Sequence, residues 1–163
     1  MPRTVCLMAF SYEPEETEEK SRYNRALAEE AKNAYNRFLF DNREENNLRL
    51  IVVAQQEIAN ILEEYDVEVD IPIGWLVTPE EKLTAAKLMN QALSFTKNSA
   101  VKEVILIAPF WKMHTFRRLT KKAGLIPVKM KIKRIGLWPA SPNWWRNSLV
   151  RLLFRSLTRI FRD

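Results

Sequence analysis

Three glycines in 163 residues are too few for the loops that usually cradle phosphates, and neither G-x-G-x-x-G nor G-x-x-x-x-G-K-[ST] occurs. That argues against a conventional dinucleotide or P-loop nucleotide site. One cysteine, Cys6, excludes an intrachain disulfide and suits a reducing compartment. It sits in an apolar run, where a small buried thiol is ordinarily inert packing. One histidine, His114, removes any histidine-based metal cluster, so no metal is expected through N or S ligands. No nucleophile-elbow motif points to a Ser-His-Asp or Cys-His arrangement. No run approaches the ~20 apolar residues of a membrane span. Arg3 is followed only by a short apolar stretch that Ser11 and an acidic run break, unlike a signal peptide. A single domain over residues 1–163 and a cytoplasmic location are the expectations.

Acid is nearly missing from the second half. From Phe110 to Asp163 there are fourteen Lys and Arg against one acid, while residues 1–109 hold twelve against nineteen. The halves therefore carry net charges of −7 and +13. Such a dipole can draw anions, nucleic acid or an acidic partner to one side. Equally, the two halves can attract each other within one fold.

Apolar patterning supplies the architecture. Thr4 to Phe10, Leu48 to Ala54 and Val104 to Ile107 are short apolar runs of the kind found in fully buried strands. Val67, Val69, Ile71 and Ile73 alternate, but Pro72 confines that segment to an edge or leaves it an extended loop. Ile126 to Ile132 alternates too and predicts a further strand, with Lys129, Lys131 and Lys133 on one face. Between these lie helical patterns. Arg22 to Phe40 carries Leu27, Ala31, Ala34, Tyr35 and Phe38 in one stripe, with Ser21 as N-cap. Glu57 to Tyr65 is a short helix. Thr78-Pro79-Glu80-Glu81 predicts the start of a helix running to about Lys97. Pro109 ends the strand before it, and the basic segment that follows stops at Gly124, a typical residue just past a helix end. Strands alternating with helices predict a three-layer α/β sandwich with a mostly parallel, Rossmann-like sheet.

In such a sheet the C-terminal ends of the strands and the following helix N-termini share one rim, which favours an anionic ligand. On that rim fall Ser11 and Tyr12, then Gln55, Gln56 and Glu57, then Phe110, Trp111 and Lys112. Arg25 joins them if the first helix begins close by, and Arg117 is a further anion ligand on the helix after Pro109. Glu57 is a candidate general base or simply a carboxylate placed favourably at a helix start. His114 is a candidate acid–base group or an ordinary surface histidine. No cofactor is indicated.

The order of pieces resembles the YdcF/SanA/ElyC-like family, and four places carry the resemblance. Asn24-Arg25-Ala26-Leu27 is similar to the family's arginine-containing helix start after strand one. Gln55-Gln56-Glu57 stands where the family places a glutamate at a strand-to-helix turn. Thr84 falls near its Thr-x-x-Asn signature, with Lys87 at the asparagine. Phe110 to Gly124 resembles its strand, Tyr-His-Met, arginine and glycine-ended helix, with Trp111-Lys112-Met113 in place of Tyr-His-Met. The resemblance implies a Rossmann-like domain, a nucleotide- or sugar-phosphate-like ligand, and a link to cell-envelope metabolism with or without catalysis.

Residues 144–161 form the last helical pattern. Arg151, Arg155 and Arg159 share a face, and Leu149, Leu152, Leu153, Leu157, Ile160 and Phe161 occupy the others. A basic amphipathic helix of this kind either packs on the sheet or lies on an anionic membrane. Three readings follow: a small-molecule pocket at the strand ends, a nucleic-acid or partner-binding module using the basic half, and a peripheral membrane protein held by the terminal helix.

Overall fold

A computed structural model describes residues 3–11, 18–74, 84–96 and 100–135. The chain runs β1 (Arg3–Ala9), α1 (Glu18–Asp41), β2 (Leu48–Gln55), α2 (Gln56–Glu64), β3 (Ile71–Ile73), α3 (Ala85–Thr96), β4 (Glu103–Ile107), α4 (Phe110–Lys122) and β5 (Ile126–Pro127). All strand pairs are parallel, in the order β3-β2-β1-β4-β5. This is a Rossmann-like three-layer α/β sandwich.

The apolar runs give a sheet covered on both faces because successive strand residues point to opposite sides. Val5, Leu7 and Ala9 of β1 join Val52, Ala54, Ile105 and Ile107 in one core against α1 and α2. Cys6, Met8 and Phe10 join Ile51, Val53, Val104 and Leu106 in the other, against α3 and α4. Burial of Cys6, with Asp70 adding a smaller charge effect, pushes its thiol up to about 12. A neutral thiol there is a packing group.

Helix ends follow local chemistry. Gly124 has φ +76° and closes α4: its N–H donates to the Lys121 carbonyl (3.0 Å), and Leu125 N–H to the Thr120 carbonyl (3.1 Å). That pair of bonds satisfies the last carbonyls of the helix. The same pair closes α2, from Asp66 N–H to Glu63 (3.1 Å) and Val67 N–H to Leu62 (3.0 Å), with Asp66 at φ 58°.

At the N-terminal edge of the sheet Arg3 acts as a clasp. Its guanidinium donates to both oxygens of Glu103 (2.6 and 3.3 Å), to Glu45 (2.8 Å) and to Asn42 (3.2 Å). The hydrogen bonds to Glu103 raise its pKa further, in the direction expected for a paired cation. These contacts join β1, β4 and the α1–β2 turn at the end opposite the C-terminal ends of the strands.

Three sequence expectations need correction. The first helix begins at Glu18, so Ser21 lies inside it and is no cap. The helix expected to run on to about Lys97 is interrupted at Thr84, and its described part is Ala85–Thr96; the Thr78–Glu81 signal lies outside the described residues. Thr84 stands before that helix, its Oγ1 accepting from Lys87 N–H (3.3 Å). The strand expected over Ile126 to Ile132 shrinks to Ile126–Pro127.

That shortening has a visible cause. After Val128 N–H donates to Val104 (2.8 Å), the chain leaves the ladder and turns onto α1. There the Lys131 carbonyl accepts from Arg37 Nη1 (2.8 Å), and Lys133 N–H donates to Glu30 Oε1 (2.8 Å). The alternation survives without the ladder: Val128, Met130 and Ile132 pack on the core, while Lys129, Lys131 and Lys133 are exposed. Both edge strands carry a proline, Pro72 and Pro127, a residue that cannot donate to an added strand. Residues 136–143 and the amphipathic helix expected over 144–161 lie outside the described residues.

Candidate functional site

β1 lies at the sheet's centre, and the chain leaves β1 and β4 in opposite directions. The connection after β1 leads to α1 on one face, and that after β4 leads to α4 on the other. Neighbouring parallel strands whose connections diverge leave a crevice at their C-terminal ends, the usual ligand position in this architecture.

The turn after β1 is held on both sides. Phe10 N–H donates to the Ile107 carbonyl of β4 (2.9 Å), and the next N–H, of Ser11, donates to Gln55 Oε1 on β2 (3.0 Å). Gln55 is the N-cap residue of α2, yet its side chain makes no cap bond to that helix. It reaches across to β1 instead. Nothing from the cap residue therefore satisfies the N–H groups that open α2, and they carry the helix's positive partial charge at the rim.

Two oxygens stand out at this rim. Ser11 is 1% exposed, and its Oγ has no hydrogen-bond partner among the described residues. Glu57, in the first turn of α2, is half-buried, and its buried Oε2 likewise has none. Buried polar atoms are nearly always paired, so each such exception asks for a reason. Beneath them Phe10 stacks on Phe116 of α4, ring centroids 3.9 Å apart and planes 12° apart, giving the turn a rigid apolar floor.

The third turn is Pro109 to Lys112. Pro109 caps α4 through its backbone, its carbonyl accepting from Lys112 N–H (2.9 Å) and Met113 N–H (3.0 Å). Phe110 N–H donates to the Ile135 carbonyl (2.9 Å), which ties the incoming segment 128–135 to the start of α4. Lys112 is half-buried in the first turn of α4. Gln56 is also half-buried, its Nε2 donating to Asn60 Oδ1 (2.6 Å) along the surface of α2.

The sequence-expected residues thus divide. Ser11, Gln55, Gln56, Glu57 and Lys112 lie on turns at the C-terminal ends of β1, β2 and β4, as does the Trp111 backbone. Arg25 is placed elsewhere. It is exposed on α1, and its Nη1 lies 3.8 Å from Oε2 of Glu64 at the end of α2 away from the rim. Of the Asn24-Arg25 pair, Asn24 is the buried member. Arg117 is seven positions along α4, about 10 Å from its start by helical rise, and lines a groove between that helix and the segment 128–134. His114 is exposed on α4. Tyr12 and the Trp111 side chain lie outside the described residues.

Sequence reasoning missed the Ile135 carbonyl and Phe116. A backbone acceptor leaves no composition signal, and Phe116 reads simply as an aromatic in a basic helix. Among the described residues no group of His, Cys, Asp and Glu could hold a metal ion, and no helix is long and apolar enough to cross a membrane. No family model, curated protein or solved structure matches this chain.

Chemically, the Ser11 hydroxyl can donate or accept, the Glu57 carboxylate accepts, and the opening of α2 favours negative charge. An acceptor beside an anion-favouring helix start suits a ligand with hydroxyl groups next to an anionic group.

Proposed function

We propose that the chain binds a small anionic ligand of the nucleotide or sugar-phosphate kind at the C-terminal ends of β1, β2 and β4. The observation that carries this reading is the pair of buried, unpartnered oxygens, Ser11 Oγ and Glu57 Oε2, on the rim where α2 opens without a side-chain cap. The ligand's anionic group takes the α2 N-terminus and the Ser11 hydroxyl, with the Lys112 ammonium nearby to balance charge. A ligand hydroxyl donates to Glu57, and the carboxylate then holds a proton donor instead of standing against the anion.

The same reading makes the chain a divergent relative of the YdcF/SanA/ElyC-like proteins. It rests on the Asn24–Leu27, Gln55–Glu57 and Phe110–Gly124 likenesses. Binding is proposed without a reaction, because the other acid–base candidate among the described residues, His114, is exposed on α4 and not on the rim turns.

Thermal unfolding of the full chain across a panel of nucleotides, sugar phosphates, free sugars and inorganic phosphate tests this. A sugar phosphate or nucleotide is expected to raise the Tm more than phosphate or sugar alone. Glu57→Ala and Lys112→Ala should each remove that shift without lowering the ligand-free Tm by more than a few degrees. The reading is wrong if no compound shifts the Tm, or if both variants keep the full shift.

A further inference from the structure

Residues 110–135 contain nine Lys and Arg and no acid. The fold does not scatter them. It sets six on the two banks of one groove between α4 and the segment 128–134. The larger part, about 640 Å³, has Arg117 and Lys121 on the helix bank and Lys129 and Lys131 opposite. A second part of about 410 Å³ shares Arg117 and Lys131, adds Lys133 and Arg134, and ends at Phe110. The floor is apolar, made chiefly by Leu106, Met113, Met130 and Ile132.

All six cations are exposed, and none forms an ion pair with a described residue. The one acid bonded to this segment, Glu30, is buried, and its Oε1 accepts from the Lys133 backbone. Among the described residues the positive field along the groove is therefore uncompensated, and a bound polyanion gains from both banks at once.

Shape narrows the choice of polyanion. Lys129, Lys131 and Lys133 project from one side of an extended segment, so they recur at roughly 6.6 Å. A linear chain of phosphates can follow such a row, whereas a flat lipid surface cannot reach the floor between the banks. At the upper end Phe110 is 41% exposed, and the Arg134 guanidinium lies 5.1 Å from its ring centroid. An aromatic face with a guanidinium beside an apolar channel is a stacking platform for bases. An acidic peptide has no use for that platform.

We infer that this groove binds single-stranded nucleic acid. Its phosphates run between the Arg117–Lys121 and Lys129–Arg134 banks, and a base stacks at Phe110. The groove meets the strand-end rim at the Phe110 turn, but its six cations lie outside that rim, so the lysine variants test it independently of the ligand proposed there.

Fluorescence anisotropy of the full chain with a labelled oligothymidylate, titrated over salt, tests the inference. Six neutralised phosphates give a slope of log K against log salt of about −4 for a single strand. The triple variant Lys129→Ala, Lys131→Ala, Lys133→Ala should weaken that slope by about 2. Phe110→Ala should lower affinity at least about fivefold with the slope unchanged. Circular dichroism of both variants should match the parent, because the changed side chains are exposed. Arg151→Ala, Arg155→Ala, Arg159→Ala is the counter-variant. If it abolishes binding while the lysine triple leaves the slope unchanged, the interaction belongs to the C-terminal region and the inference fails. Equal displacement by polyglutamate of matched charge, sensitive to the same lysines but not to Phe110, would assign the groove to an acidic protein. Lysine-dependent capture by anionic vesicles with no oligothymidylate binding would assign it to a membrane.

Discussion

Replacing Ser11 by alanine should make the ligand-free protein more stable, the reverse of the usual effect of changing a buried residue. The hydroxyl is desolvated at 1% exposure and has no partner among the described residues. A buried hydroxyl in that condition costs about 1–3 kcal/mol relative to its hydrated state in the unfolded chain. Alanine keeps the Cβ and the backbone N–H that donates to Gln55, so the turn keeps its anchor. The space left is smaller than a methyl group, whose loss costs about 1 kcal/mol. The balance favours alanine by about 1 kcal/mol, a rise in Tm of roughly 2–4 °C for a chain of this size. Thr120 is the matched contrast. It is equally buried, but its Oγ1 donates to the Phe116 carbonyl (2.8 Å), so Thr120→Val should cost about 0.5–1.5 kcal/mol. Urea unfolding of the parent and the two variants, fitted with a common m-value, reads both signs in one assay. Ser11→Ala should also lose the ligand-dependent Tm shift, trading binding for stability. If it destabilises as much as Thr120→Val does, the Ser11 hydroxyl is satisfied in solution and the argument for a ligand at this rim loses its main support.

Two further expectations follow from buried or strained positions. The folded-state pKa of Cys6 is raised from its ordinary 9.0 to about 12, so the native state keeps a proton that the unfolded chain releases. The stability this contributes is full below pH 9.0 and is lost progressively as pH rises toward about 12. Cys6→Ala should flatten that alkaline limb in urea unfolding at stepped pH, and a thiol reagent at neutral pH should label Cys6 only at the rate of unfolding. Labelling at the rate of a free thiol contradicts its burial. Asp66 closes α2 at φ 58°, a conformation glycine adopts at less cost, so Asp66→Gly should stabilise by up to about 1 kcal/mol. A loss of stability would mean that the aspartate side chain supports this turn.

Much of the fold is legible before any coordinates. β1, β2 and β4 are apolar on both faces, and a strand of that kind has to sit inside a parallel sheet covered on two sides. Pro72 places β3 at an edge, and Gly124 ends α4, because each residue restricts or frees the backbone locally. The helix starts were less legible. Ser21 carries good capping chemistry, yet it lies inside the first helix, and Thr84 interrupts the helix expected to run to about Lys97. A cap signal competes with every compatible residue upstream or downstream, and packing decides among them. Arg25 and Arg117 show the same limit, since one faces Glu64 and the other a groove, and residue type alone does not choose a helix face.

Sequence alone determined the layered parallel architecture, the exclusion of the Pro72 segment from the sheet interior, the rim at the strand ends and the concentration of positive charge after residue 109. Each of these follows from side-chain period, backbone restriction or charge count, which do not depend on partners far along the chain. Tertiary structure alone decided that Gln55 reaches β1 instead of capping α2, which leaves that helix start open beside Ser11 and Glu57. It also decided that the alternating lysines leave the sheet after Val128 and face α4 across a groove. These outcomes depend on which acceptors lie within hydrogen-bond reach once the sheet has formed, and that proximity exists only in the folded chain.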